Sequence, residues 1–220
     1  MLSISRYNQS VFGDASLTFQ EFIVHEPLPL AVIQEAVLEF LRDRQDAALF
    51  GAQAVNAYAD VSRLTEDVDI LSTRGADLAE DIREFLASRF HIAMRVLEIG
   101  AGKGFRVYQV RQPKNRHLAD VRPVAQLPAT RRVAGILVVT PEELIAGKVV
   151  AYHARRGQPK SFSDRRDLAV LLLAFPELKE ESGPVRECLL RSGAGGDFLA
   201  TWSEIAAQPI AAENDEDEFA

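Results

Sequence analysis

The spacing of apolar positions along this 220-residue chain changes character near Thr140. Before that point, short apolar runs alternate with helical stripes. In AVIQEAVLEFLRD, which follows Pro27 and Pro29, Val32, Ile33, Ala36, Val37, Phe40 and Leu41 recur at helical spacing. Asp46–Phe50 reads as a strand, Ala52–Ala59 as a short helix and Val68–Leu71 as a second strand. Asp77–Phe90 is an amphipathic helix, with Leu78, Ile82, Phe85, Leu86 and Phe90 on one side. IAMRVLEI and FRVYQVR are strand-like runs separated by Gly100-Ala101-Gly102-Lys103-Gly104, the punctuation of a hairpin. His117–Val124 and Val133–Val139 are further strand candidates, and residues 2–24 alternate enough for one or two short strands.

From Thr140 onward the period is helical. Thr140-Pro141-Glu142-Glu143 is a helix start, with Thr140 as N-cap, Pro141 at the first helical position and Glu143 at the capping-box position. That helix runs to about Arg156. Ser163–Ala174, Pro184–Leu190 and Asp197–Ala206 follow as helices, with Gly183-Pro184 as a break. The expected organisation is an α/β (α+β) front over residues 1–140, with a mixed sheet flanked by helices. A helical half over 141–210 and a disordered acidic tail over 211–220 complete it.

Composition narrows the class only mildly. The chain is 47% apolar and 26% charged, ordinary for a soluble globular protein. It contains no apolar run of about 18 residues and no basic-then-apolar leader, so neither a membrane span nor a signal peptide is expected. A single cysteine, Cys188, excludes an intramolecular disulfide and fits a reducing, cytoplasmic setting. Net charge of −7 argues against a general electrostatic attraction to nucleic acid. Local basic clusters around Lys103–Arg116 and Arg155–Arg166 nevertheless suit a triphosphate or an RNA end as well as a solvated face.

The densest chemistry lies in LFGAQAVNAYADVSRLTEDVDIL, residues 49–71. An apolar run ends at Gly51-Ala52, a helix-like segment follows, and Asp67-Val68-Asp69 opens the next apolar run. Successive strand residues point to opposite faces, so Asp67 and Asp69 share one face. Two neighbouring carboxylates repel, and a hard cation such as Mg²⁺, which prefers oxygen ligands, relieves that repulsion. Gly51 permits close backbone approach, and a helix start offers N–H groups to phosphate. Asp-x-Asp alone is equally a solvated strand end. Its combination with Gly51, Ala52, Arg63 and Thr65 points to nucleotidyl transfer.

A two-metal phosphoryl-transfer site needs a third carboxylate. HLADVRPV supplies Asp120 inside a half-apolar strand, where an acid is costly unless solvated or bound. In the helical half, Lys148 sits within LIAGKVVAY, on one face with Leu144, Ala151 and Arg155. Asp167 lies in the first turns of the next helix and is placed to orient Lys148 or Arg155, or to form a plain salt bridge. The four histidines show no zinc spacing. A rival signal, VLEIGAGKGF, is similar to the first motif of S-adenosylmethionine-dependent methyltransferases, which requires a helix directly after the glycines. The following FRVYQVRQ is strand-like instead.

With these residues assembled, the chain resembles the AbiEii-type toxin branch of the minimal nucleotidyltransferase superfamily over roughly residues 30–175. The resemblance rests on LFGAQAVNAY, RLTEDVDIL, LADV, PEELIAGKVVAYHARR and RRDLAVLL. It implies a catalytic and metal set of Asp67, Asp69 and Asp120, holding Mg²⁺ with room for two ions, and a catalytic Lys148. It assigns Gly51, Ala52, Arg63, Thr65, Arg155 (or Arg156) and Asp167 to substrate binding. The implied reaction moves a nucleoside monophosphate from an NTP to an RNA, tRNA included, or to a protein acceptor, in some members as a toxin beside a cognate antitoxin. The family's serine is Ala52 here, which removes a hydroxyl contact to phosphate of about 1–3 kcal/mol. A nucleotide-binding or interaction module of the same fold, without catalysis, is therefore the alternative.

Overall fold

The computed structural model describes residues 28–59 and 63–211. The strand candidates in 2–24 and the acidic tail from 212 lie outside the described residues. The chain divides into two compact units, one ending at Val139 and the other beginning at Thr140, with Tyr58–Asp60 grouped with the second.

The first unit is built on a seven-stranded mixed sheet. Its elements are α1 (Leu30–Leu41), β1 (Ala47–Leu49), α2 (Gly51–Asn56), β2 (Val68–Ser72), α3 (Gly75–Phe90), β3 (Met94–Ile99), β4 (Gly104–Gln109), β5 (Arg116–Pro123), β6 (Thr130–Val133) and β7 (Ile136–Val139). The strand order is β3-β4-β5-β2-β1-β7-β6. β1 runs antiparallel to β2 and parallel to β7, and β2 runs parallel to β5. The strands read as Asp46–Phe50, Val68–Leu71 and the Asp120 segment are thus neighbours. Their order places all three aspartates near the middle of the sheet.

Local chemistry explains the elements. In α1, Ile33, Ala36, Val37 and Leu41 are buried as their spacing predicts, but Val32 is at the exposed margin and Gln34 is buried in its stead. Gln34 earns that place by donating from Nε2 to the carbonyl of Thr65 at 2.9 Å. β2 alternates, with Val68, Ile70 and Ser72 buried and Asp69 and Leu71 on the other face. Helices α1 and α3 pack on each other, and α3 packs on β3, β4 and β5.

Two turns differ in their agreement with expectation. Gly100, Ala101 and Gly102 all take positive φ and close the β3–β4 hairpin, whose register pairs Ile99 with Gly104. No helix follows the glycines, so the methyltransferase alternative is removed. The single strand expected over Val133–Val139 is instead the β6–β7 hairpin. Ala134 and Gly135, with φ of 48° and 84°, supply the two positive-φ positions that a tight hairpin turn requires.

The second unit contains α4 (Pro141–Ala154), α5 (Pro159–Ala174), a 3₁₀ turn (Pro176–Lys179), α6 (Pro184–Arg191) and α7 (Gly196–Ala207). Ile145, Val149, Leu171, Leu189 and Trp202 form its buried centre, and Trp202 Nε1 donates to the Glu181 carbonyl at 3.1 Å. α5 begins earlier than its apolar stripe suggests because Pro159 occupies its first turn. Thr140 is the N-cap of α4, yet its side chain makes no capping bond. The capping box is not formed, since the Glu143 carboxylate takes the Arg191 guanidinium at 2.5 Å. No helix among the described residues is long and apolar enough to cross a membrane.

Candidate active site

Asp69 on β2 and Asp120 on β5 are register partners across a parallel pair. Directly paired residues of neighbouring strands project to the same face, so both carboxylates leave the sheet together. Asp67 is the residue immediately before β2, half-buried like the other two. Gly51, with φ of 69°, lies against Asp69: a Cβ at this position would sit 2.1 Å from Asp69 Oδ2. Only glycine accommodates both that conformation and that approach. The neighbouring Phe50 N–H donates to the Asp69 carbonyl at 3.1 Å, which ties the start of α2 to β2. Ala52 follows as the second residue of this six-residue helix.

A histidine that spacing alone does not single out joins the carboxylates. His117 Nδ1 is 3.2 Å from Asp67 Oδ2, and its Nε2 is 3.1 Å from Asp120 Oδ1. Strict alternation would send residues three apart on a strand to opposite faces. The β4–β5 register pairs Val107 with Ala119 and Tyr108 with His117, so Leu118 is an extra residue in β5. This bulge turns His117 toward Asp120. The Tyr108 ring lies 5.1 Å from the imidazole.

Charge organises the group. Burial alone would lower the His117 pKa, but hydrogen bonding to Asp120 and the charges of Asp120 and Asp67 outweigh it and raise it above its ordinary value. For Asp120 burial acts upward, and His117 and Arg106 together overcome it and hold the carboxyl below its usual range. Arg106 Nε donates to Asp120 Oδ1 at 3.1 Å. Arg122 lies 3.9 Å from Asp69 Oδ1, with its guanidinium 4.7 Å from the centre of the Phe50 ring.

The donor chemistry fits a divalent cation. One ligand atom each from Asp67, His117 and Asp120 lie within 4.8 Å of one another. Asp69 shares the face of Asp120 but is not a member of that close trio, its carboxylate lying instead beside Gly51 and Arg122.

Arg63 and Thr65 brace the segment that leads into Asp67. The Asn56 side chain donates to the Arg63 carbonyl at 2.8 Å and accepts from the Arg63 N–H at 3.1 Å. Gln53 Nε2 donates to the Thr65 hydroxyl at 2.8 Å, and Thr65 is itself buried. These bonds fix the backbone before β2.

In the helical unit, Lys148 reaches Asp167 Oδ2 at 2.6 Å and Asp164 Oδ1 at 3.4 Å. Arg155 Nη1 meets Asp164 Oδ2 at 2.8 Å. Asp167 is fully buried and Lys148 is 13% exposed at its side chain. The spacing of Asp164 and Asp167 on α5 is the signal from which Asp164 was predictable. His117 had no such signal, because a bulge is invisible to a period-two pattern.

Comparison with known proteins decides the family. The family model described as nucleotidyl transferase AbiEii toxin, type IV TA system, matches residues 35–196, most of the chain. The chain belongs to the AbiEii nucleotidyltransferase toxin family. No curated protein matches it in sequence. Among solved structures, this AbiEii-family chain is similar to the Megavirus polyadenylate synthase, with a TM-score of 0.57 at 15% identity over 71% of the chain. It spans 34% of that larger protein. A protein from H. pylori assigned to the nucleotidyltransferases matches with a TM-score of 0.50 at 12% identity, over 86% of this chain and 93% of its own. Both likenesses concern the fold, and the AbiEii-family chain carries the nucleotidyltransferase sheet.

Proposed function

We propose that the chain is a metal-dependent nucleotidyltransferase that moves a nucleoside monophosphate from an NTP to an RNA, tRNA included, or to a protein acceptor. In this reading it acts in the cytoplasm as the toxin of a toxin–antitoxin pair. The observation that carries the reading is the register pairing of Asp69 with Asp120, beside Asp67 and against Gly51. In the reaction the acceptor hydroxyl oxygen forms a bond to the α-phosphorus, the bond to pyrophosphate breaks, and the hydroxyl proton passes to a base.

Asp67, Asp69 and Asp120 would hold Mg²⁺, which when bound neutralises phosphate charge and favours pyrophosphate departure. Asp120 stays anionic because its pKa is held down by His117 and Arg106 despite burial. Gly51 leaves room for the Asp69 carboxylate, and the Gln53–Thr65 and Asn56–Arg63 bonds keep Asp67 in place. Lys148 and Arg155 are the phosphate-binding cations of the helical unit in this reading. In the structure these cations are paired with Asp167 and Asp164.

A second reading, nucleotide binding without transfer, is favoured by Ala52, which offers no hydroxyl. One experiment separates them. α-Labelled NTPs are incubated with the chain, Mg²⁺ and total RNA or protein, and transferred label is counted. Transfer that Asp69→Asn abolishes supports the enzyme. Nucleotide binding without transfer to any acceptor supports the module. Growth arrest on induced expression, absent for Asp69→Asn, tests the toxin role.

A further inference from the structure

His117 stands between Asp67 and Asp120 and groups with them. Each of its ring nitrogens faces one of those carboxylates, at 3.2 and 3.1 Å. The bulge at Leu118 is the structural device that turns it there, and the ring is half-buried beside Tyr108. Bulges re-aim side chains, and this one converts a pair of carboxylates into a mixed oxygen–nitrogen donor set.

We infer that His117 is a metal ligand of this site and that the set Asp67–His117–Asp120 selects a first-row transition ion such as Mn²⁺ over Mg²⁺. The inference rests on the metal-dependent reading above, but it replaces Mg²⁺ with a transition ion as the preferred cation and adds His117 to its ligands. Mg²⁺ is a hard ion that demands oxygen donors in a near-ideal octahedron and parts with water reluctantly. An imidazole in the set is wasted on it. Transition ions accept imidazole and carboxylate together, and geometry and donor type decide among them. The mutual spacing of the three donor atoms, within 4.8 Å, lets them converge on one ion. The imidazole lies between the two carboxylates, and a bound cation would offset their repulsion while taking a ring nitrogen as a donor.

The test uses the full chain, with and without a nonhydrolysable NTP, and Mn²⁺ as the probe. Mn²⁺ binding is followed by electron paramagnetic resonance, with Mg²⁺ as competitor. Nitrogen modulation of the bound Mn²⁺ signal is recorded by electron spin-echo spectroscopy. The expected result is a preference for Mn²⁺ over Mg²⁺, with nitrogen modulation that changes when the chain is labelled with ¹⁵N-histidine. His117→Gln removes the modulation and most of the preference while Mg²⁺ affinity is kept. Asp120→Asn weakens both ions. Should His117→Gln fail to fold, the ¹⁵N-histidine comparison in the unaltered chain still decides. Equal affinities with no histidine modulation overturn the ligand role of His117 and leave the nucleotidyltransferase reading standing. Absence of any Asp120-dependent cation binding, with NTP present, overturns that reading as well.

Discussion

The α-carbon of Gly51 lies so close to the Asp69 carboxylate that a methyl group there would overlap it, with a Cβ 2.1 Å from Oδ2. The glycine that opens α2 and the acid on β2 are therefore one unit. Gly51→Ala must move the carboxylate and also place alanine at a φ of 69°. The expected cost is about 1–3 kcal/mol in stability. Label transfer from NTP should fall much further than stability does. Thermal midpoints and turnover for Gly51→Ala beside Asp69→Asn check this. Full turnover in Gly51→Ala would show that the Asp69 position is unimportant.

Thr65 acts through its neighbours. Thr65→Val removes the hydroxyl that accepts from Gln53 Nε2, while Gln53 Oε1 is already buried without a partner among the described residues. A stranded buried amide costs on the order of 1–3 kcal/mol. The loop before Asp67 should loosen, weakening cation binding, and Thr65→Ser should restore both properties. Chemical denaturation and Mn²⁺ titration of the two variants give the comparison. Normal stability and cation affinity in Thr65→Val would remove Thr65 from the bracing network.

Much of this arrangement was legible in the sequence because its causes are local. The Asp-x-Asp at the start of β2, the glycine that opens α2 and the period change at Thr140 each depend on neighbours in the chain. The β6–β7 turn at Ala134-Gly135 hid inside an apolar run, since alanine carries no mark of positive φ. His117 was hidden for a different reason: its direction depends on an extra residue in β5, which only pairing with β4 reveals. The Glu143 capping signal was genuine as a pattern but lost to a competing partner, Arg191, from another helix.

Cys188, on α6, gives a pH dependence. The thiol is 4% exposed. Burial, assisted by the Glu143 charge and opposed by Arg191, raises its pKa from 9.0 to about 11. Below the lower value native and unfolded chains both keep the proton, so the stabilisation is complete there. As pH rises from the lower value to the higher, the unfolded chain releases its proton first, and stability is lost progressively. Urea denaturation between about pH 8 and 11 should therefore fall more steeply for the unaltered chain than for Cys188→Ala. Iodoacetamide should label the native thiol slowly at neutral pH, because the thiolate is the reactive form. Parallel curves, or rapid native labelling, would contradict the burial argument.

Lys148 tests whether its buried ion pairs are structural alone or also serve phosphate. Its ammonium lies 2.6 Å from Asp167 and 3.4 Å from Asp164, both buried. Lys148→Met withdraws the cation these carboxylates share, and breaking a buried pair from one side costs about 3–5 kcal/mol. Lys148→Met combined with Asp167→Asn removes charge from both sides, so the double variant should be more stable than Lys148→Met alone. That recovered fold allows ligand binding to be read separately from stability. If the ammonium also meets the triphosphate, the double variant folds but binds a nonhydrolysable NTP more weakly and transfers little label. Lys148→Arg should rescue poorly, since a planar fork does not replace a compact point charge. Calorimetric titration of the double variant and the Arg variant, with turnover measured alongside, distinguishes the roles. Unchanged nucleotide affinity and full turnover in a stable double variant would leave Lys148 as an internal ion-pair partner and nothing more.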